Sequence, residues 1–193
     1  MRSIQEVGTE ILTSNPKSFY IFAGTEYGIK RKYIQQLISY YSGKYKEAAS
    51  VDEVLQFMSV KHIFPPAKML YIVRYDESFI SSLGATTEST ILSTNILGTV
   101  VCIYEQDKDK AKLEKYVPNL TVEINPVAKE YINKYLHTDY PTLKDEDISA
   151  MCEVCSTYAE AYNMAASLSH AVGTYSIAEI KKSISPISMI DVE

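Results

Sequence analysis

The stretch Phe22-Ala-Gly-Thr-Glu-Tyr-Gly-Ile-Lys-Arg-Lys-Tyr-Ile34 decides the fold. Ahead of it, Ser18-Phe-Tyr-Ile-Phe-Ala23 is an apolar run of strand type. The run feeds Gly24, a short polar loop, Gly28, and then Lys30 at the start of a helix-type segment. Strand, glycine turn and helix form the framework of a phosphate-binding loop. That loop has the spacing G-x-x-x-x-G-K-[ST]. Its backbone N–H groups wrap the phosphates, its lysine reaches their oxygens, and its hydroxyl binds Mg²⁺. Here three residues separate the glycines, Ile29 intervenes before Lys30, and Arg31 stands at the hydroxyl position. A cation there repels Mg²⁺. The motif is degenerate. It reads either as a plain strand–turn–helix unit or as an ATPase-like scaffold that has lost its ATPase.

Outward from this turn, strands and helices alternate. A helix at 3–14 precedes it, and the helix after it, with Thr25 as candidate cap, repeats Ile34, Leu37, Ile38 and Tyr41 at helical spacing. A short strand at Tyr45 to Ala49 follows, then the capping box Ser50-Val-Asp-Glu53, which opens a helix to about Val60. Met69 to Tyr75 reads as a strand, Asp76 to Leu83 as a short helix, and Gly98 to Tyr104 as a strand buried on both faces. A helix at Asp109 to Tyr116 and a strand at Leu120 to Ile124 complete the pattern of a parallel α/β sheet. Beyond Asn125-Pro126, read as an N-cap and N1 proline, only helices follow. They are placed near 127–137, after Thr142, at 158–172 ending on Gly173, and from the capping box Ser176-Ile-Ala-Glu179 to Pro186. The expected domains are therefore an α/β domain at 1–125 and a small helical domain at 126–193.

Composition agrees with a folded chain: 193 residues, 46% hydrophobic and 22% charged. No apolar run approaches the ~20 residues of a membrane span, and the N-terminus has no signal-peptide core. Three cysteines make no disulfide framework, which predicts a reducing cytoplasm. The net charge of −5 is uneven. Residues 1–126 hold 14 basic and 14 acidic side chains, and residues 127–193 hold 5 and 10. Strong independent DNA binding needs a basic face, so it is disfavoured. The clusters Lys30-Arg31-Lys32 and Lys108, Lys110, Lys112, Lys115 read as solvated helix faces.

Other constellations are weak. Cys152 and Cys155 lie on the apolar stripe of their helix and lack a second pair, so core packing is expected over zinc. His62, His137 and His170 are scattered. Asp76-Glu77 ends a strand as a Walker B pair would, but helix N-terminal acids explain it equally. No metal, cofactor or catalytic residue is expected. The helix at 51–60 is more informative. Val51, Val54, Leu55 and Met58 share one face, while Phe57 and Val60 fall off it. It runs to Ile63-Phe64, stopped by Pro65-Pro66, which presents two bulky apolar residues at a rigid tip. Periodicity alone allows that tip to fold back on the sheet or to anchor a partner.

Taken in order, these segments resemble the delta subunit of the bacterial DNA polymerase III clamp loader. The resemblance spans about 18–186. It rests on Phe19-Tyr-Ile-Phe-Ala-Gly24, the helix ending in an apolar pair, Ala67-Lys-Met-Leu-Tyr-Ile-Val-Arg74, Thr99-Val-Val-Cys-Ile-Tyr104 and Leu120-Thr-Val-Glu-Ile-Asn-Pro126. Asn163-Met-Ala-Ala-Ser-Leu168 and Ser176 to Pro186 resemble the family's lid. The resemblance implies an AAA+/P-loop-like parallel sheet flanked by helices and followed by a helical lid, without ATP hydrolysis. It implies that Ile63 and Phe64 insert into a pocket of the sliding clamp, flanked by Lys61, His62 and Pro65, and favour an open ring. Other loader subunits are implied as further partners, and DNA only indirectly or weakly. The family's collar domain has no counterpart here, so the resemblance implies a compact relative or a collar supplied by another polypeptide. Two alternatives stand beside it: an inhibitor that occupies the clamp's pocket, and a divergent P-loop NTPase using Lys30 and Asp76-Glu77.

Overall fold

The computed structural model of the chain describes residues 1–60, 66–105 and 107–170. Its contacts divide into two compact units. One comprises Met1–Thr25 and Lys30–Asn125; the other comprises Glu26–Ile29 and the chain from Pro126 onward.

The first unit is built on a six-stranded sheet. Its strands are β1 (Arg2–Ser3), β2 (Phe19–Ala23), β3 (Tyr45–Ala48), β4 (Met69–Arg74), β5 (Gly98–Tyr104) and β6 (Thr121–Glu123). The order is β1-β6-β2-β5-β4-β3, and every pairing is parallel. Register places Ile21 opposite both Cys102 and Thr121, and Val73 opposite Cys102. All five residues of β2 are buried, as a central strand covered on both faces requires.

Alternation sorts the two faces. Phe19, Ile21 and Ala23 join Tyr71, Val73, Val100, Cys102 and Tyr104 in one core. That core is closed by α3 (Val51–Ser59), α4 (Glu77–Ser82), α5 (Thr87–Ser93) and α6 (Asp107–Tyr116), through residues such as Val54, Phe79, Ile91 and Leu113. On the opposite face lie α1 (Ile4–Leu12) and α2 (Tyr27–Tyr40). There the Tyr20 hydroxyl donates to Glu10 of α1 at 2.7 Å. A Cβ on Gly8 of α1 would come 3.2 Å from the Tyr33 ring of α2.

The second unit contains α7 (Lys129–Asp139), α8 (Asp145–Val154) and α9 (Tyr158–His170). Ile132, Leu136, Ile148, Met151, Ala161 and Met164 are among its buried residues, at helical spacing. The Tyr158 hydroxyl donates to Asp139, and its ring meets Tyr135 edge-on at 5.5 Å.

Several local expectations are corrected. Strand β1 and helix α5 are additional to those expected. Two residues are too few to show a period, and α5 lies in a Ser/Thr-rich run that reads as a loop. Its hydroxyls turn back on the helix instead: Ser89 and Thr90 both donate to Thr86 O at 2.9 Å. Thr25 does not start α2, which begins at Tyr27. Asn125-Pro126 does not start α7; Ala128 does, and Asn125 hydrogen-bonds the Glu123 carboxylate instead of a helix end. Lys144, not Thr142, precedes α8. At α3 the Ser50 hydroxyl accepts from Glu53 N–H at 3.0 Å as expected. Glu53 reaches back to Ala49 N–H at 2.9 Å, one residue beyond the cap. A complete capping box opens α1, between Ser3 and Glu6. Gly173, the Ser176 box and Pro186 lie outside the described residues.

Candidate functional site

The glycine turn forms where β2 ends. Gly24 has φ +138°, and a Cβ there would fall 2.0 Å from Ile124 O. Its N–H donates to Tyr104 O at 3.1 Å, which joins the ends of β2 and β5. Only glycine fits this close approach. Lys30 is 1% exposed. Its ammonium donates to Gly24 O, and to Tyr104 O at 3.1 Å. The lysine of the degenerate loop is thus directed at main-chain carbonyls of its own sheet. Arg31, at the position of the missing magnesium hydroxyl, is exposed.

Of the acidic pair after β4, Asp76 has a structural task. Asp76 is buried and precedes α4. One carboxylate oxygen accepts from Phe79 N–H at 3.0 Å, and the other from Val51 N–H at 2.8 Å. One side chain therefore caps α4 and binds the first residue of α3. The Tyr104 hydroxyl donates to Asp76 O at 2.9 Å. Burial, first of several causes, pushes the Tyr104 phenol well above its ordinary value. The buried Cys102 thiol is likewise pushed up by burial, and further by the Asp76 charge. Tyr75, just before Asp76, has φ +44°. Left-handed backbone is uncommon for a bulky residue and marks stored strain. Its ring meets Tyr104 at 5.6 Å, and the Lys108 ammonium lies 5.6 Å from it.

The residues Lys61, His62, Ile63, Phe64 and Pro65 lie outside the described residues. The structure shows what leads to them. Val51 and Val54 of α3 are buried, and Leu55 and Met58 pack against the same core. Phe57 and Val60, off that stripe, are 43% and 59% exposed. Val60 ends the helix in extended backbone, ψ 135°. Two recesses flank this end. A cleft of about 350 Å³ is lined by Met58, Val60, Pro66, Asn95 and Leu97 among others. A smaller one of about 110 Å³ is lined by Ala48, Phe57, Pro66, Met69 and Tyr71 among others.

The remaining candidates fall apart in space or into packing. Cys152 and Cys155 are buried in the helical unit, and burial raises the Cys152 thiol. Among the described residues no three His, Cys, Asp or Glu side chains gather as a metal site would need. His137 faces Asp145 at 3.8 Å, an ion pair only when protonated. In the basic cluster of α6, Lys110 pairs with Glu123, which holds that carboxyl below its ordinary value. Lys108, Lys112 and Lys115 are exposed. Among the described residues no helix is long and apolar enough to cross a membrane.

One residue that sequence reasoning passed over is Glu26. It is 2% exposed, immediately before α2. One carboxylate oxygen accepts from Gly28 N–H at 3.1 Å, and the other from Tyr158 N–H at 3.3 Å. Its partner Tyr158 is 132 positions away, so no local signal could have revealed it.

No family model and no curated protein matches the sequence. Solved structures do. The Bacillus subtilis DNA clamp loader delta protein aligns over 94% of this chain and 62% of its own, with 12% identity and a TM-score of 0.50. The Aeropyrum pernix ORC2 protein aligns over 94% of this chain in two structures. Its ADP form gives 9% identity, a TM-score of 0.45 and 66% of its own length; its ADPNP-ADP complexes give 11%, 0.46 and 65%. The chain thus spans 62% of the length of the clamp loader delta protein that it resembles. At these identities the likeness is one of fold, an AAA+-like parallel α/β sheet flanked by helices.

Proposed function

We propose that this chain is a clamp-loader delta-like protein. It binds a DNA sliding clamp during replication, favours the clamp's open form and hydrolyses no ATP. The observation that carries the proposal is the apolar end of α3, where Phe57 and Val60 are 43% and 59% exposed a few residues ahead of Ile63-Phe64 in the sequence. The fold likeness to the clamp loader delta protein supports it. Ile63 and Phe64 are the proposed anchor, with Lys61, His62 and Pro65 at its rim. A binder of this kind opens a ring only by holding the open form more tightly than the closed one. Other loader subunits are further proposed partners, and DNA contact is weak or indirect. The absence of hydrolysis is supported by the contacts of Lys30 and Asp76, both made to main chain.

The test is a pull-down and titration with the cognate sliding clamp. Each apolar side chain is worth ~1.5–3 kcal/mol when fully buried. The Ile63→Ala, Phe64→Ala double variant is therefore expected to lose at least about a hundredfold in affinity. Unchanged clamp binding by that variant, in a protein that melts like the parent, removes the anchor.

A further inference from the structure

The turn Glu26–Ile29 and the start of α9 are joined by an anion that the chain itself supplies. Both belong to the helical unit. Glu26 stands directly before α2, and Tyr158 is the first residue of α9. The Glu26 carboxylate accepts one N–H from the first turn of α2 and one from the first residue of α9. Helix N-termini carry unpaired N–H groups and positive partial charge, which is why phosphates bind there. A buried carboxylate is costly unless such donors meet it. The fit around it is close. A Cβ on Gly28 would lie 2.7 Å from Ala159 N and 2.8 Å from Ala159 Cα, so even a methyl group between the two helix starts is excluded.

From this geometry we infer that Glu26 is a built-in substitute for a nucleotide phosphate. Its carboxylate pins the start of α9 to the turn Glu26–Ile29 and occupies the N–H groups that a phosphate would take. A helix already held in this way gains nothing from phosphate, so its position does not respond to nucleotide. The inference rests on the turn alone and is independent of clamp binding.

Hydrogen exchange and thermal melting of the full chain test it, with inorganic phosphate as the probe. Losing a hydrogen bond to a charged group corresponds to about ten- to a hundredfold in an opening equilibrium. In Glu26→Ala, the Gly28 and Tyr158 amides are expected to exchange faster by that factor. The variant should melt lower and recover with added phosphate but not with chloride at equal ionic strength. The parent should show no such phosphate response. A purely structural cap would lose stability without this anion-specific recovery, and that result overturns the inference, as would wild-type protection of both amides. If Glu26→Ala does not fold, Glu26→Gln decides. Its amide keeps one acceptor and loses the charge, so at least one of the two amides must exchange faster. Full protection of both refutes the role.

Discussion

Replacing Gly24 by alanine probes a close backbone approach in the sheet unit. The residue follows β2 with φ +138°, a conformation that side-chain-bearing residues rarely adopt. An added Cβ would lie 2.0 Å from Ile124 O, whereas ordinary contact begins at 3.4 Å. The chain end beyond β6 must therefore retreat by about 1.4 Å (3.4 less 2.0). That retreat breaks the bond from Ile124 N–H to Ala23 O, now 2.7 Å, at a buried position. Backbone strain contributes ~1–3 kcal/mol, and the orphaned amide another ~1–3 kcal/mol. The expected loss is about 4 kcal/mol, a large share of the ~5–15 kcal/mol of a typical domain. Gly43 supplies the control. Its φ is +79°, but an added Cβ meets nothing within 4 Å. Gly43→Ala should cost only the left-handed penalty, ~1–2 kcal/mol. Urea unfolding of both variants, compared at their midpoints with a shared slope, reads the difference directly. If Gly24→Ala is no more destabilised than Gly43→Ala, the closure of β2 on β6 is not as described and the account of the glycine turn fails with it.

The remaining predictions concern groups beside that turn and the surface at α3. Asp76→Ala strips the acceptor from Val51 and Phe79 and should cost about 3 kcal/mol in thermal or chemical unfolding; a loss under about 1 kcal/mol would mean that the two caps are not made. Lys30→Ala should lower stability yet leave equilibrium binding of ATP with Mg²⁺ at the parent's level, and measurable affinity abolished by the variant would restore the NTPase alternative. Stability should fall at both ends of the pH scale. Glu6 and Glu53 are held low chiefly by backbone N–H groups of Ser3 and Ala49, and Glu123 chiefly by Lys110. Their contribution is present above 4.5 and lost as pH falls through the lower folded values. Burial raises Tyr20, Tyr104 and Tyr158, so theirs is intact below 10.0 and lost as pH climbs beyond it; flat unfolding midpoints across either window would contradict these contacts. Clamp affinity through an apolar tip should change little with added salt, and a steep salt slope would point to charge pairing or counterion release instead.

The parts legible in the sequence are those whose burial leaves a period. Strands β2, β4 and β5 are apolar runs because both faces are covered, and they read as strands without help. The inward and outward faces of α3 were also visible: Val51 and Val54 went in, Phe57 and Val60 stayed out. What escaped was chemistry set by distant partners. Asp76 looks the same in sequence whether it binds a metal or caps one helix and holds the start of another. Only the fold brings Val51, 25 positions earlier, onto its second oxygen. The start of α7 was misplaced for a similar reason, since Asn125 had a competing partner in Glu123.

These observations bear on what the degenerate loop is for. Phosphate chemistry in such a fold would draw on the loop amides, the loop lysine and the acid at a strand end. In this chain Gly28 N–H is given to Glu26, Lys30 to the carbonyls of Gly24 and Tyr104, and Asp76 to the amides of Val51 and Phe79. Each of these three groups serves as a joint of the scaffold. Around α3 the core is closed by Val51, Val54, Leu55 and Met58, while Phe57 and Val60 at its end are partly exposed and line two recesses that share Pro66. Scattered exposed hydrophobes are ordinary. Here the two lie three residues apart at the end of α3, just ahead of the apolar pair Ile63-Phe64 and Pro65-Pro66 in the sequence. The proposed clamp contact would draw on this end of the helix, and the affinity loss expected of the Ile63→Ala, Phe64→Ala variant is what tests it.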